Sequence, residues 1–320
     1  MFRRVNMRWL IKGVTLFAAV LVLGLFGVSG YMLNYSLSPD PNRQDVDSAY
    51  ADLYRRYPDM RQWVEHIKAN QMLRSVYITM PNGQRHHALY ITSDSAQGRT
   101  AVVVHGYRDC SIKFLYLARM YHRDLGYNVL LPDLSAHGLS EGREVQMGWR
   151  DATDLLSWCA WLEQQVKGKQ EIVLHGVSMG AATVMNLSGL EVSSQVKGIV
   201  EDCGFTSVWD EFSCQLSAQF SLPQFPLMYT SSWLCHYIYG WHFNEASPLQ
   251  SLKRCQLPML FIHGANDDYV PTKMVYELYQ TTTAPKWLWI VPQAGHAEAY
   301  KCQPETYTNR ITQFCNHIFE

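Results

Sequence analysis

The stretch HGVSMGAA, residues 175–182, sets Ser178 between Gly176 and Gly180, after the apolar run Ile172–Leu174. A serine hydroxyl becomes a nucleophile only when a base takes its proton, and the base works only when a third group orients it. Later in the chain an acid and a histidine each follow an apolar, strand-like run. Asp267 stands in HGANDDYVP after PMLFI, and His296 stands in PQAGHAEAY after KWLWIV. The order serine, acid, histidine suits attack on an acyl carbonyl, with Ser178 as nucleophile, His296 as base and Asp267 as orienter. Asp268, its neighbour, and Asp202, which follows VKGIV, are rival acids.

Elements must bring these three side chains together. EIVLHG reads as a strand and AATVMNLSG as a helix, so Ser178 falls on a sharp strand–turn–helix corner. Side chains two residues before and after the serine would collide with neighbouring backbone there, which explains the glycines. The short, wholly apolar runs TAVVVHG, NVLLPD, EIVLHG, VKGIVEDCG, PMLFIHG and KWLWIVP alternate with helical stretches at about 112–125, 149–166 and 304–318. Strands buried on both faces and alternating with helices predict a parallel sheet covered on both sides. Ahead of them, SVYITM and HHALYITS flank Pro81-Asn82-Gly83 and read as a hairpin. Residues 49–72 read as one helix with apolar positions at Leu53, Tyr57, Met60, Val64 and Ile67, preceded by a polar linker over 34–48. Lys167-Gly168-Lys169 closes the 149–166 helix.

Two segments depart from this rhythm. Residues 13–33 carry no charge, and Arg3, Arg4, Arg8 and Lys12 precede them. At ~1.5 Å per residue such a helix spans roughly 30 Å, a bilayer's hydrocarbon thickness. Positive charge on the N-terminal side predicts a single span with the remainder of the chain outside the cytoplasm. A cleaved signal peptide, cut near Val28-Ser29-Gly30 to give a secreted protein, is the competing reading. Residues 205–250, rich in Trp, Phe, Tyr and Met, are too long for a simple crossover and read as a lid or pocket wall, or else as a helical pair packed on the body. The eight cysteines have no framework spacing and read as buried small hydrophobes, with Cys214–Cys235 the one pair to suspect.

From about residue 72 to 320 the chain resembles the α/β-hydrolase superfamily. His-Gly-x-x-Asp-x-x-Val-Pro is matched by His263, Gly264, Asp267, Val270 and Pro271, and the catalytic histidine by His296 in AGHAEAY. The oxyanion-loop pattern is matched by His105-Gly106-Tyr107, and a PD-x-x-x-HG-x-S segment by Pro132, Asp133, His137, Gly138 and Ser140. In finer flavour it is similar to membrane-anchored or secreted bacterial hydrolases of the Bem46-like group. The resemblance implies an α/β-hydrolase fold: a mostly parallel central sheet, helices on both faces and a helical cap insertion at about 205–250. It divides the chain into an anchor or signal peptide with the start of a linker (1–37), a linker and helix (38–71) and the hydrolase domain (72–320). The pattern places the acid at Asp267 and the oxyanion-binding N–H groups at Tyr107 and Met179. Phe205, Trp209, Phe212, Trp233 and Tyr237 of the insert are expected to wall an apolar acyl pocket. His137 is expected to brace a loop, and His105 and His263 to be structural.

These features point to a serine esterase acting on a small-molecule or lipid-like acyl ester. A peptidase or amidase with the same triad, and a non-enzymatic surface binding module, are the alternatives; thioesterase or acyltransferase use of the same acyl-enzyme is a further one. A serine at the corner disfavours the dehalogenase and epoxide-hydrolase chemistries of the superfamily, which use a carboxylate. No cofactor is expected: the chain has no HExxH, Cys/His cluster, phosphate loop or dinucleotide fingerprint. A net charge of −1 with no basic stripe gives no reason to expect nucleic acid.

Overall fold

The computed structural model describes residues 7–165 and 170–319. Eight strands form one sheet: β1 (Leu73–Thr79), β2 (Arg85–Ile91), β3 (Arg99–Val104), β4 (Asn128–Pro132), β5 (Glu171–Val177), β6 (Val196–Asp202), β7 (Met259–Gly264) and β8 (Lys286–Val291). Their spatial order is β1-β2-β4-β3-β5-β6-β7-β8. The hairpin β1–β2 and the β2–β4 pair are antiparallel, and every later pair is parallel. This is an α/β-hydrolase fold.

The helices are α1 (Met7–Leu37), α2 (Val46–Arg56), α3 (Met60–Ala69), α4 (Leu115–Arg119), α5 (Asp151–Gln165), α6 (Met179–Leu187), α7 (Val208–Phe220), α8 (Leu227–Tyr239), α9 (Pro248–Leu252), α10 (Lys273–Thr281), α11 (Ala299–Cys302) and α12 (Pro304–Phe319). Successive strand residues point to opposite faces, so the sheet feeds two cores. Val102, Leu130, Leu174 and Ile199 pack with α5, α6 and the end of α1. Val103, Val129, Val173 and Val200 pack with α2, α3, α4 and α12.

Three expectations need correction. The helix expected over 49–72 is two helices, α2 and α3, broken at Tyr57-Pro58-Asp59. Pro58 has no N–H and keeps the preceding residue out of the helical region; Tyr57 accordingly adopts φ −136°, ψ 80°. The apolar spacing survives the break because Leu53, Met60, Val64 and Ile67 are all buried in one core. The linker expected over 34–48 is also shorter. Helix α1 runs on to Leu37, and Leu33 and Leu37 are buried against the body. The Cys214–Cys235 pair is not formed: all eight cysteines are free thiols, and six are buried as expected, while Cys214 is half-buried and Cys302 exposed. Arg3, Arg4 and Lys167-Gly168-Lys169 lie outside the described residues.

Candidate active site

Strand β5 ends at Val177, and the next residue turns sharply. Ser178 has φ +57° and ψ −116°, a backbone conformation that side-chain-bearing residues rarely adopt, and it opens α6. Its N–H donates to the Asp202 carbonyl at the end of β6 (2.8 Å), pinning the corner to the sheet. A Cβ on Gly176 would run into the backbone of Gly180, and one on Gly180 into the carbonyl of Val104. Both glycines are therefore required by backbone against backbone, which no side-chain repacking can relieve.

Loops at the same sheet edge bring Asp267 and His296 to this corner. Nε2 of His296 lies 2.9 Å from Ser178 Oγ, and its Nδ1 lies 2.8 Å from Asp267 Oδ2. Asp267 Oδ1 accepts from the N–H groups of Tyr269 (3.0 Å) and Val270 (2.9 Å). Burial alone would raise the pKa of Asp267, but hydrogen bonds from His263 and His296 outweigh it and hold the carboxyl down at about 2. It is ionised at any physiological pH.

The rival acids are placed otherwise: Asp268 is exposed, and it is Asp267 that bonds His296. Asp202 accepts from the Tyr307 hydroxyl (2.8 Å) and is pushed up to about 6 by burial. His263, expected to be structural only, reaches Asp267: its Nε2 lies 3.2 Å from Oδ2 and 2.9 Å from the Val270 carbonyl. The i, i+4 spacing within HGANDDYVP was the available signal. His137 does brace a loop, accepting from the Arg108 N–H (3.1 Å), and His105 accepts from the Leu134 N–H (3.0 Å).

Tyr107, Met179 and Ser178 line one apolar cavity. A Cβ on Gly106 would stand 3.5 Å from Ser178 Cβ, so the loop after β3 faces the serine directly. Met179 is the first residue of α6, where an N–H has no carbonyl a turn earlier to bond. Phe205 and Phe212 wall the cavity, together with Leu216, Leu227, Met228 and Phe243. Trp209, Trp233 and Tyr237 do not. Residues 229, 233 and 237 recur every fourth position and share the outer face of α8, while Leu227, Met228, Ser231 and Cys235 are buried on the inner one. Trp209 is half-buried against the core and packs edge-on against Tyr229.

Two lining contributions were missed. Met32, Leu33, Tyr35 and Ser36, from the last two turns of α1, form part of the wall. Tyr107 Oη donates to the Ser36 carbonyl (2.8 Å), and Arg108 Nη2 to that of Tyr35 (2.7 Å). Glu211 on α7 also lines the cavity; burial pushes its carboxyl up to about 8, against a hydrogen bond from Gln215. Cys203, Asp267 and His296 are the one group among the described residues whose ligand atoms, within 4.8 Å of one another, could hold a metal ion. Burial raises the Cys203 thiol well above its ordinary range, which makes it a poor ligand.

Residues 101–301 match the sequence pattern of the Alpha/beta hydrolase family. The chain belongs to that family. It is 30% identical to the Bacillus subtilis protein YqkD over 208 residues, 65% of this chain and 67% of the relative. It is 23% identical to protein bem46 of Schizosaccharomyces pombe over 229 residues, 71% of this chain and 70% of that one, and is of the Bem46-like type. Among solved structures it is similar to an esterase of Pyrococcus furiosus, with a TM-score of 0.61 at 22% identity over 78% of this chain and 93% of the other. This member of the family is a hydrolase. Its N-terminal helix α1 is long and apolar enough to cross a membrane.

Proposed function

We propose that this hydrolase cleaves acyl esters through an acyl-enzyme on Ser178. The observation that carries the reading is the unbroken line of hydrogen bonds from Ser178 Oγ through His296 to Asp267, at the floor of an apolar cavity. His296 Nε2 takes the hydroxyl proton as Oγ attacks the ester carbonyl. The N–H groups of Tyr107 and Met179 hold the resulting oxyanion, an interaction worth roughly 100- to 1000-fold in rate per donor. His296 then delivers its proton to the departing alcohol, leaving the acyl group on Ser178. Water, deprotonated by the same histidine, attacks the acyl-enzyme and releases the acid, restoring the serine. Asp267 keeps the proton of His296 on Nδ1 and stabilises the imidazolium.

The test is direct. Full-length protein in detergent, beside Ser178→Ala, is treated with a fluorophosphonate probe and with p-nitrophenyl esters of increasing acyl length. The reading expects labelling and turnover in the parent, both lost in Ser178→Ala. A folded parent that takes no probe overturns it. Matched anilides and thioesters, run alongside, separate ester from amide and thioester specificity.

Residues 13–33 are proposed to cross the membrane once, with Arg8 and Lys12 in the cytoplasm and the hydrolase domain outside. The buried side chain of Ser29, bonded to Thr230 of α8, supports an uncut chain over a cleaved one. N-terminal sequencing of the mature protein decides it; a start near Tyr31 would sink the anchor.

A further inference from the structure

We infer that the outer face of the cap is a bilayer-contacting surface, and that the Ser178 cavity takes esters of membrane lipids from that side. The inference rests on the two readings above, the span over residues 13–33 and the Ser178 hydrolase, and narrows the substrate to a class.

Helix length carries the first part. Between Lys12 and Leu25 the chain is uncharged and its side chains are exposed. At ~1.5 Å per residue this free stretch covers roughly 18 Å, well short of the ~30 Å of a hydrocarbon core. Lys12, with Trp9 beside it, marks the inner boundary. The missing third must come from the next turns of α1, and these are already packed on the cap. Phe26 meets Trp233 edge-on at 5.8 Å, and Ser29 Oγ lies 2.5 Å from Thr230 Oγ1. No loop separates span from cap, so α8 must lie at the depth of the outer membrane interface.

The chemistry of the cap fits that depth independently. Residues 212–244 contain no Asp, Glu, Lys or Arg. Their outer face still presents Phe225 (73% exposed), Tyr229 (58%), Trp233 (52%) and Tyr237 (77%). A contiguous exposed aromatic surface without charge marks an interaction site on a soluble body, and Trp and Tyr are the residues enriched at the headgroup level. Here the surface adjoins the span itself, so its occupant is lipid. The cavity lies between the same two elements, with Leu33 of α1 and Leu227 of α8 in its wall beside Ser178. An ester whose alcohol part stays among the headgroups can therefore present its acyl chain to Ser178 without crossing water.

The test uses the full chain in phosphatidylcholine–phosphatidylglycerol vesicles. In a Cys214→Ser/Cys302→Ser background, an environment-sensitive fluorophore is placed at Phe225→Cys or, as a control at the opposite end of the sheet, at Asp94→Cys. Phosphatidylcholine bearing an acyl-chain nitroxide should quench the label at 225 and spare the label at 94; equal quenching overturns the surface. Next, a phospholipid ester in the vesicle and p-nitrophenyl butyrate in solution are compared for the parent and for Phe225→Glu/Tyr229→Glu. The double variant should lose roughly 10-fold in lipid hydrolysis, the factor that ~1.4 kcal/mol represents, and keep the soluble activity, which also reports its folding. A parent that turns over the soluble ester but not the lipid, or a double variant that hydrolyses both like the parent, overturns the substrate class. A parent with no soluble turnover and no fluorophosphonate labelling fails the serine-hydrolase reading instead, while the quenching result still decides the surface.

Discussion

His263 and His296 approach the same oxygen of Asp267, Nε2 of one at 3.2 Å and Nδ1 of the other at 2.8 Å. His263 is wholly buried. Burial lowers its basicity, but the hydrogen bond to Asp267 and the nearby Glu201 more than reverse this and raise it. A donor behind the carboxylate draws off part of the charge that would stabilise a His296 imidazolium. His263→Gln should lower kcat/KM near neutrality by roughly 10-fold, ~1.4 kcal/mol of barrier, through looser placement of Asp267. A folded variant with the parent's kcat/KM would leave His263 a packing residue only.

Asp267→Asn and Asp202→Asn should separate chemistry from architecture. The amide at 267 presents the wrong hydrogen-bonding pattern to His296, and kcat is expected to fall by about 10⁴. Asp202→Asn keeps its acceptor for Tyr307 and should retain most of kcat; thermal unfolding followed beside the kinetics checks that both variants are folded.

Glu211 makes stability depend on pH. Its ordinary value of 4.5 is raised to about 8 in the fold, so the native protein holds this proton more tightly than the unfolded chain does. Its stabilising contribution is complete below about pH 4.5 and is lost as pH rises to about 8. Glu211→Gln should melt with the parent at pH 4 and above it at pH 8.5. Because Glu211 lines the cavity, turnover of apolar esters by the parent should also decline above pH 8, a decline that Gln removes.

Gly176→Ala and Gly180→Ala should each be severely destabilising, by about 4 kcal/mol or more, in the class of changes with no repacking route. Gly106→Ala, whose added methyl meets only ordinary contacts, should fold. Urea unfolding midpoints distinguish the two outcomes.

The sheet and the meeting of Ser178, Asp267 and His296 were legible because each side chain follows a strand whose apolar run is unmistakable. The alternation of strands fixes the edge at which the three loops must converge. The inner and outer faces of α8 were not legible. From Leu227 to Tyr239 the helix is uncharged all round, so its pattern carries no phase, and only the fold, which buries Leu227, Met228, Ser231 and Cys235, reveals that Trp233 and Tyr237 are left exposed. Pro58 could have been read as a break, but the apolar spacing carries across it and concealed it. The contribution of α1 to the cavity was invisible for another reason. A run of apolar residues has the same composition whether lipid or protein surrounds it, and Met32 and Leu33 change neighbours without any change in sequence character.

Because α1 is one unbroken helix from Met7 to Leu37, its two ends cannot move independently. On the proposed span, a bilayer thinner than its apolar length is accommodated by tilt. Tilt of this helix would carry Leu33 and Ser36 with it, and through Ser36 the Tyr107 ring that follows Gly106 beside Ser178. If residues 13–33 span the bilayer as proposed, the membrane is a mechanical reference for the site, and the acyl-chain length of the host lipid becomes a variable of its kinetics.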